Sequence, residues 1–132
     1  TSFHKVKREP SASSGQANYD IKAELSAVNM KNWKEIDKMS PFGLGNHKPV
    51  FLFESVKIEK IKKFGKNGSG EHLEIIFSDA SGKFIPAIAF FSGHESFSTP
   101  LEEGKRVKLL ATFDLSRFRG REELRLRVVD IS

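Results

Sequence analysis

The 132-residue sequence predicts a mainly β protein built around one small five-stranded barrel. From residue 50 onward, apolar and polar residues alternate with a period of two, which is typical of half-buried strands. The alternating segments are separated by stretches rich in Gly, Ser and Asp, the residues that favour turns. The length suits a single domain, and 38% hydrophobic residues are enough for a core of its own.

A short strand and a helix are expected ahead of the barrel. In the first segment every second residue is apolar: Tyr19, Ile21, Ala23 and Leu25. Three apolar residues then recur at helical spacing: Met30, Trp33 and Ile36. Asn29 is a favourable N-cap in front of them, and Pro41 stops the helix. The pattern therefore predicts a short strand within 19–25 and an amphipathic helix over 30–39.

The stretch "SPFGLGNHKPV", residues 40–50, follows this helix and precedes the first barrel strand. A phosphate-binding loop needs the reverse order, in which a strand leads into glycines at a helix N-terminus, usually with a Lys-Ser/Thr pair. Neither condition holds here. We therefore expect a hinge in which glycines supply positive φ and Pro49 sets the direction of the exit.

The barrel strands are predicted at 50–64, 72–78, 83–91, 105–113 and 122–131. Alternation places ten side chains inward: Leu73, Ile75, Phe77, Val107, Leu109, Ala111, Phe113, Leu124, Leu126 and Val128. Pro86 interrupts the third strand, which predicts a bulge or an unpaired backbone position. Loops are expected at 65–71 and 114–121. The longest connection, 92–104, follows the third strand and has room for a helical turn. Five strands with the longest connection between the third and the fourth are typical of an OB-fold, a five-stranded Greek-key barrel.

The chain is expected to divide into three parts. Residues 1–18 are polar and Ser/Gly-rich, as in a flexible linker or tail, and Thr1 in place of Met suggests a piece of a longer chain. Residues 19–47 form the lead-in strand and helix with the "PFGLGN" hinge, packed on the barrel, and residues 48–132 form the OB-fold domain. Because the chain has no cysteine and no apolar run as long as a membrane span, we expect a cytoplasmic protein.

Basic and aromatic residues lie where an OB-fold binds its ligands, on strands 2 and 3 and the loops that join strands 1–2 and 4–5. The first loop region carries Lys60, Lys62, Lys63, Phe64 and Lys66. The second carries Arg117, Phe118, Arg119 and Arg121, followed in the last strand by Arg125 and Arg127. Cations beside aromatic rings suit single-stranded nucleic acid, whose phosphates attract charge and whose bases stack. In the alternative interpretation, which stays open, the loop phenylalanines fold back onto the core and the lysines are only a solvated surface.

The sequence offers no set of catalytic or metal-binding residues. The four histidines are scattered along the chain: His4, His47, His72 and His94. None has another histidine three or four residues away, as a helical metal site would require. Asp79, in the turn "SDASG", is expected to accept hydrogen bonds from backbone N–H groups. We expect no catalytic residue and no cofactor in this chain.

Several segments resemble RecJ-type single-strand-specific exonucleases. "MSPFGLGNHKPVF" is similar to the "PFG.GN..PVF" segment of that family, and "PAIAFF" and "LEEGKRVKLLATFDL" resemble its third and fourth OB strands. "FRGREELRLRVVDI" resembles its closing "W.G...L.L.V.DI" strand, and with the lead-in the resemblance covers residues 19–131. The sequence departs from the family at His47, where proline is usual, and at Phe118, where tryptophan is frequent.

The resemblance implies that the chain is the C-terminal OB region of a 5′-to-3′ single-stranded-DNA exonuclease of recombination and repair. The catalytic portion of that family carries an Asp-His-His motif and a "GGH" motif with manganese or magnesium, and neither motif occurs in this chain. The chain alone is therefore expected to be non-catalytic. The implied partners are single-stranded DNA, the upstream catalytic domains and a single-strand-binding protein. No association with a membrane is expected.

Two other functions remain open at this point. The chain could be a protein-interaction module that docks a partner through the apolar outer face of "FIPAIAFF", residues 84–91. It could also be the OB domain of another replication enzyme, such as a replicative polymerase subunit.

Overall fold

The computed structural model describes residues 19–66, 69–90 and 101–132, without the side chains of residues 64–66, 69–71 and 118. The tail expected at 1–18 lies outside the described residues, as does most of the long connection expected at 92–104. No helix in the described ranges is long and apolar enough to cross a membrane.

The described residues form a closed barrel of five strands with one extra strand. The elements are β1 (Ile21–Lys22), a 3₁₀ turn (Leu25–Ala27), α1 (Met30–Asp37), β2 (Phe51–Lys66), β3 (Ser69–Ser78), β4 (Phe84–Phe90), β5 (Arg106–Phe118) and β6 (Arg121–Ile131). The sheet order is β1-β2-β3-β4-β6-β5, and β2 also pairs with β5, which closes the barrel. β4 and β6 run parallel, whereas the other barrel pairs are antiparallel. This is an OB-fold, so the predicted fold class is confirmed.

The strand β2 closes the barrel because it pairs with two partners. Its first half, from Phe51 to Lys57, pairs with β5, and its second half pairs with β3. Register shifts interrupt both ladders, which bends the strand around the barrel. β2 continues to Lys66 and β3 already begins at Ser69, so the connection expected at 65–71 is shorter than predicted.

The barrel interior is filled by the residues that alternation places inward. Those of β3 and β5 are at most 6% exposed: Leu73, Ile75, Phe77, Val107, Leu109, Ala111 and Phe113. Phe113 stacks on Phe51 with the ring centroids 4.6 Å apart. On β6, Leu126 is fully buried, and Leu124 and Val128 are partly buried against the same core. The predicted inward set is therefore confirmed.

The helix α1 is capped as the sequence predicts, but the set of residues on its buried side differs from the predicted one. Oδ1 of Asn29 accepts a hydrogen bond from the backbone N–H of Asn32 at 2.9 Å. Ile36 is 2% exposed, but Met30 is 38% exposed, so the prediction that Met30 lies on the buried face is wrong. Asn32 is buried instead, because its Nδ2 donates to the carbonyl of Ala27 at 2.8 Å and so keeps its hydrogen bond. The helix ends at residue 37 rather than 39.

The lead-in segment is attached to the barrel by hydrogen bonds and by burial. Its strand is only two residues long, shorter than predicted, because the chain then turns into the 3₁₀ turn. The N–H of Leu25 donates to Oδ2 of Asp79 at 2.7 Å, and Oδ1 of that carboxylate accepts from the N–H of Ser81 at 3.0 Å. The structural role expected for Asp79 is therefore confirmed. Leu25, Val28 and Ile36 belong to the same core cluster as the barrel residues. The domain boundaries expected at residues 18 and 47 stay predictions.

The stretch 40–50 forms a compact turn between α1 and β2. Gly43 and Asn46 exchange two backbone hydrogen bonds of 2.8 and 3.0 Å. Gly45 has a φ of +80°, a conformation that favours glycine. The amide Nδ2 of Asn46 donates to the carbonyls of Met39 and Pro41 at 2.9 and 2.8 Å. A strand rather than a helix N-terminus follows these glycines, which agrees with a connecting turn.

The segment 114–121 is not the loop that the sequence predicts. β5 and β6 stay paired as far as Phe118 and Arg121. The connection is the two-residue turn Arg119-Gly120, with φ of +51° and +74°, as in a type I′ hairpin turn. Because this turn matches the twist of the flanking strands, both strands continue as a regular hairpin up to its tip.

Pro86 does not produce the predicted bulge. The ladder between β3 and β4 runs from the pair His72–Phe90 to the pair Ser78–Phe84 without a shift of register. Of the two alternatives predicted for Pro86, the bulge is therefore wrong, and an unpaired backbone position remains. On the other side of β4 the described pairs with β6 begin only after Pro86. A residue without an N–H fits such a position, where no partner strand needs that donor.

Candidate functional site

The outer surface of β3, β4, β6 and the second half of β2 forms a continuous face. Strand pairing sets two neighbouring rows across it: Lys62, Glu74, Ile88 and Arg127, and beside them Phe64, His72 and Phe90. Residues two positions apart on a strand share a side, which extends the rows into a surface. We call this surface the outer face. Its described side chains are those of Lys60, Lys62, His72, Glu74, Ile76, Pro86, Ile88, Phe90, Arg125 and Arg127.

Phe90, the last residue of β4, carries the exposed ring of the outer face and is 52% exposed. The guanidinium carbon Cζ of Arg127 lies 4.6 Å from the centroid of the Phe90 ring, a cation–π contact. The imidazole of His72 packs against the same ring, with the centroids 5.4 Å apart and an interplanar angle of 39°. The three side chains together present an aromatic surface with an attached positive charge, which suits a nucleobase and its phosphate.

The lysines expected at the first loop lie on different sides of β2. Lys62 and Lys63 are both exposed, but neighbouring residues of a strand point to opposite sides. Lys62 is paired with Glu74 on the outer face, whereas Lys63 is paired with the inward residue Leu73. Phe64 and Lys66 belong to β2, and their side chains lie outside the described residues. Of the three described lysines, Lys60 and Lys62 therefore lie on the face of Phe90, and Lys63 does not.

Two of the predicted arginines are paired with carboxylates across the β5–β6 hairpin. Nε of Arg117 lies 2.9 Å from Oε2 of Glu122. Nε of Arg125 lies 2.7 Å from Oδ2 of Asp114. Because each carboxylate offsets the charge of its arginine, these two arginines attract phosphate less than a count of arginines along the sequence indicates.

The remaining hairpin residues lie at the tip, away from Phe90. Arg119 and Arg121 are exposed at the turn between β5 and β6. Seven residues of β6 separate Gly120 from Arg127, roughly 23 Å at about 3.3 Å per residue. The arginine cluster of the sequence is therefore spread along a strand. Phe118 ends β5, and because its side chain lies outside the described residues, its stacking role stays a prediction.

Sequence reasoning missed Phe90 and His72 as members of this candidate site. A signal for Phe90 was present, since Ile85, Ala87 and Ala89 alternate inward on β4 and so turn Phe90 outward. No local signal marked His72, because its contact with Phe90 depends on the register between β3 and β4.

The described residues do not fit a catalytic metal. Within 19–66, 69–90 and 101–132, no three His, Cys, Asp or Glu side chains are grouped closely enough to hold a metal ion. The manganese or magnesium that the resemblance implies for the parent enzyme therefore has no ligand set in this part of the chain. No catalytic step is assigned to these residues.

Replacing Arg119 with asparagine should raise stability and, if Arg119 contacts the strand as the sequence predicts, weaken single-strand binding. Asparagine followed by glycine is favoured in a type I′ turn, and arginine at positive φ is not, so we expect about 0.5 to 1 kcal/mol of added stability. Loss of one cation should flatten the dependence of log K on log[salt] by about 0.7. Thermal melts and binding titrations measure the two effects.

Arg121→Asn is the matched control for this change. It removes the same charge from a residue of β6 outside the turn, so it should weaken binding without raising the melting temperature. If Arg119→Asn raises stability but leaves binding unchanged, Arg119 does not contact the strand.

The closed barrel and its strand order define the chain as an OB-fold domain. Residues 19–130 match the family model described as the RecJ OB domain. Because the match spans most of the sequence, the chain belongs to the RecJ OB domain family. The resemblance recognised in the sequence is therefore confirmed.

Two relatives illustrate this membership. Over 111 residues, 84% of the chain, it is 22% identical to the "Single-stranded-DNA-specific exonuclease RecJ" of Bacillus subtilis (strain 168). The crystal structure of RecJ in complex with Mg²⁺ from Thermus thermophilus matches 83% of the chain with a TM-score of 0.58 and 17% identity, which supports the fold. The chain spans 14% of the length of the Bacillus protein and 15% of the Thermus chain.

Proposed function

We propose that this chain is the single-stranded-DNA-binding OB domain of a RecJ-type 5′-to-3′ exonuclease, which acts in DNA recombination and repair in the cytoplasm. The observation that carries the proposal is the half-exposed ring of Phe90 with Arg127 against it. Exposed rings beside cations bind single strands through stacking and phosphate contacts. Membership of the RecJ OB domain family supports the enzymatic context.

The outer face holds the strand by two kinds of contact. A base stacks on Phe90, while Arg127 and Lys62 bind phosphates on either side of β3 and β4. Further proposed contacts lie toward the two loops: Lys63, Phe64, Lys66, Arg117, Phe118, Arg119, Arg121 and Arg125. Among these, the ion pairs of Arg117 and Arg125 make them secondary contacts.

Cleavage belongs to the rest of the enzyme in this proposal. The upstream catalytic domains carry the manganese or magnesium, and the OB domain grips the strand and feeds it toward them. A single-strand-binding protein is a further proposed partner.

A salt titration tests the proposed function. The affinity of the 132-residue chain is measured for a labelled single strand of about 12 nucleotides and for the corresponding duplex, at several salt concentrations. With about four phosphate contacts, log K should fall against log[salt] with a slope near −3, since each single-strand contact contributes about −0.7. Changing both Lys62 and Arg127 to glutamate should flatten the slope by about 1.4.

Lys31 and Lys34 on α1 provide the control, since they are exposed on the lead-in helix. Changing both to glutamate alters the net charge by the same amount and should leave the slope unchanged. If both double variants flatten the slope equally, the result would contradict the outer face as the binding surface.

Docking of a protein partner is the second candidate function. Phe84 and Phe90 are 58% and 52% exposed on the same side of β4, with the partly buried Pro86 and the buried Ile88 between them. No affinity for single strands at low salt would favour this function over DNA binding. The family match favours RecJ over the alternative of a replicative polymerase subunit.

A further inference from the structure

Glu74 places a negative charge in the middle of the outer face. In its row across the sheet, Glu74 lies between Lys62 on β2 and Ile88 on β4, and Arg127 follows on β6. The side chain of Glu74 is only partly buried. Among the described residues no side chain lies within ion-pair distance of this carboxylate, not even that of Lys62, which is directly opposite.

A carboxylate at this place opposes binding of the DNA backbone. Two unit charges of the same sign 4 Å apart repel by about 1 kcal/mol in water and by more near a protein surface. Phosphates therefore avoid Glu74 and lie toward Lys62 and Arg127. The part of the strand that faces Glu74 is then a base edge rather than the backbone.

The position of Glu74 relative to the stacking ring suits contact with a base edge. Phe90 lies opposite His72, and Glu74 lies opposite Ile88, so Glu74 and Phe90 are diagonal neighbours on adjacent strands. Such neighbours are roughly 7 to 8 Å apart. A base stacked on Phe90 extends across this gap, which brings its edge within reach of a glutamate side chain.

We propose that Glu74 accepts a hydrogen bond from the exocyclic amine of the base stacked at Phe90, so that this subsite prefers cytosine to thymine. Carboxylates accept from N4 of cytosine, whereas thymine presents the oxygen O4 at the same place and is repelled. The inference rests on the proposed function, because it assigns a base preference to the same surface. It adds a specificity-determining residue to a site whose other contacts do not distinguish bases.

The test compares two matched ligands with the 132-residue chain. Labelled oligo-dC and oligo-dT of about 12 nucleotides have the same charge and similar ring sizes. The wild-type chain should bind oligo-dC more tightly by about tenfold or more, the value expected of one hydrogen bond to a charged group. In Glu74→Gln the ratio of the two affinities should fall to about 1, because the glutamine amide can both donate and accept.

Glu54→Gln is the control variant, since Glu54 is exposed on β2 and pairs with Lys22 at 3.5 Å in the lead-in region. It removes the same charge and should leave the ratio as in the wild type. If Glu74→Gln strengthens binding of both oligonucleotides by the same factor, Glu74 acts only through repulsion and the inference is wrong, while the proposed function stands. If the wild type binds neither oligonucleotide, the proposed function fails and the inference fails with it.

Discussion

Phe90→Ala is expected to weaken binding of single-stranded DNA by about 1 to 3 kcal/mol, which is the range for loss of one base-stacking ring. The melting temperature should change little, because the ring is 52% exposed and lies outside the core cluster. The variant also removes the surface on which the guanidinium of Arg127 rests at 4.6 Å, so a phosphate contact is loosened together with the stacking contact. Fluorescence anisotropy and a thermal melt measure the two effects.

Phe84→Ala is the control for this prediction. Phe84 is 58% exposed on the same side of β4, but it pairs with Ser78 at the other end of the strand. Its loss should reduce affinity by much less. Equal losses of affinity in the two variants would show that a general apolar surface, and not the ring of Phe90, binds the ligand.

Leu25→Ala is expected to cost about 2 to 5 kcal/mol of unfolding free energy, as for other leucines truncated in a packed core. Leu25 lies before the barrel in sequence, yet its side chain is 0% exposed and belongs to the same core cluster as the barrel residues. Its N–H also donates to Asp79 in the turn between β3 and β4. The lead-in and barrel should therefore unfold as one unit, with a single transition in urea.

Leu44→Ala gives the matched comparison, since Leu44 is fully exposed in the turn between α1 and β2. The change should alter stability by less than about 0.5 kcal/mol. Should Leu25→Ala cost as little, or should two separate transitions appear, the lead-in would be an independent attachment and not part of the core.

The core of the barrel was predictable because burial on one side of a strand leaves a direct mark on the sequence. Leu73, Ile75 and Phe77 recur at every second position, and all three are buried. The start of α1 was predictable for a similar reason, since Asn29 carries the local signal of an N-cap. Met30 shows the limit of helical spacing as a guide to burial. The spacing does not reveal that Asn32 can be buried in place of Met30, because that depends on the hydrogen bond from the Asn32 amide to the carbonyl of Ala27.

The end of the β5–β6 hairpin was mispredicted because its strands lack a one-sided apolar pattern. Its polar residues are held by cross-strand ion pairs such as Arg117–Glu122, which become visible only when the register is known. The turn itself carries only half of the usual signal, since Asn-Gly and Asp-Gly are the pairs that favour a type I′ turn and Arg119 takes the first position here. The same dependence on register explains why the arginines looked like one patch in the sequence, although Arg117 and Arg125 are paired with carboxylates and only Arg127 lies against Phe90.

Binding of single-stranded DNA on the outer face is tested most directly by NMR mapping of backbone amide shifts. Adding a single strand of about 12 nucleotides to the isotope-labelled chain should shift the amides of residues 72–76, 87–90 and 125–128 most strongly. Smaller shifts should follow at the hairpin tip, and the amides of α1 should stay in place. Shifts confined to α1 and the turn at 40–50, or no shifts even with a large excess of the single strand, would contradict binding on the outer face.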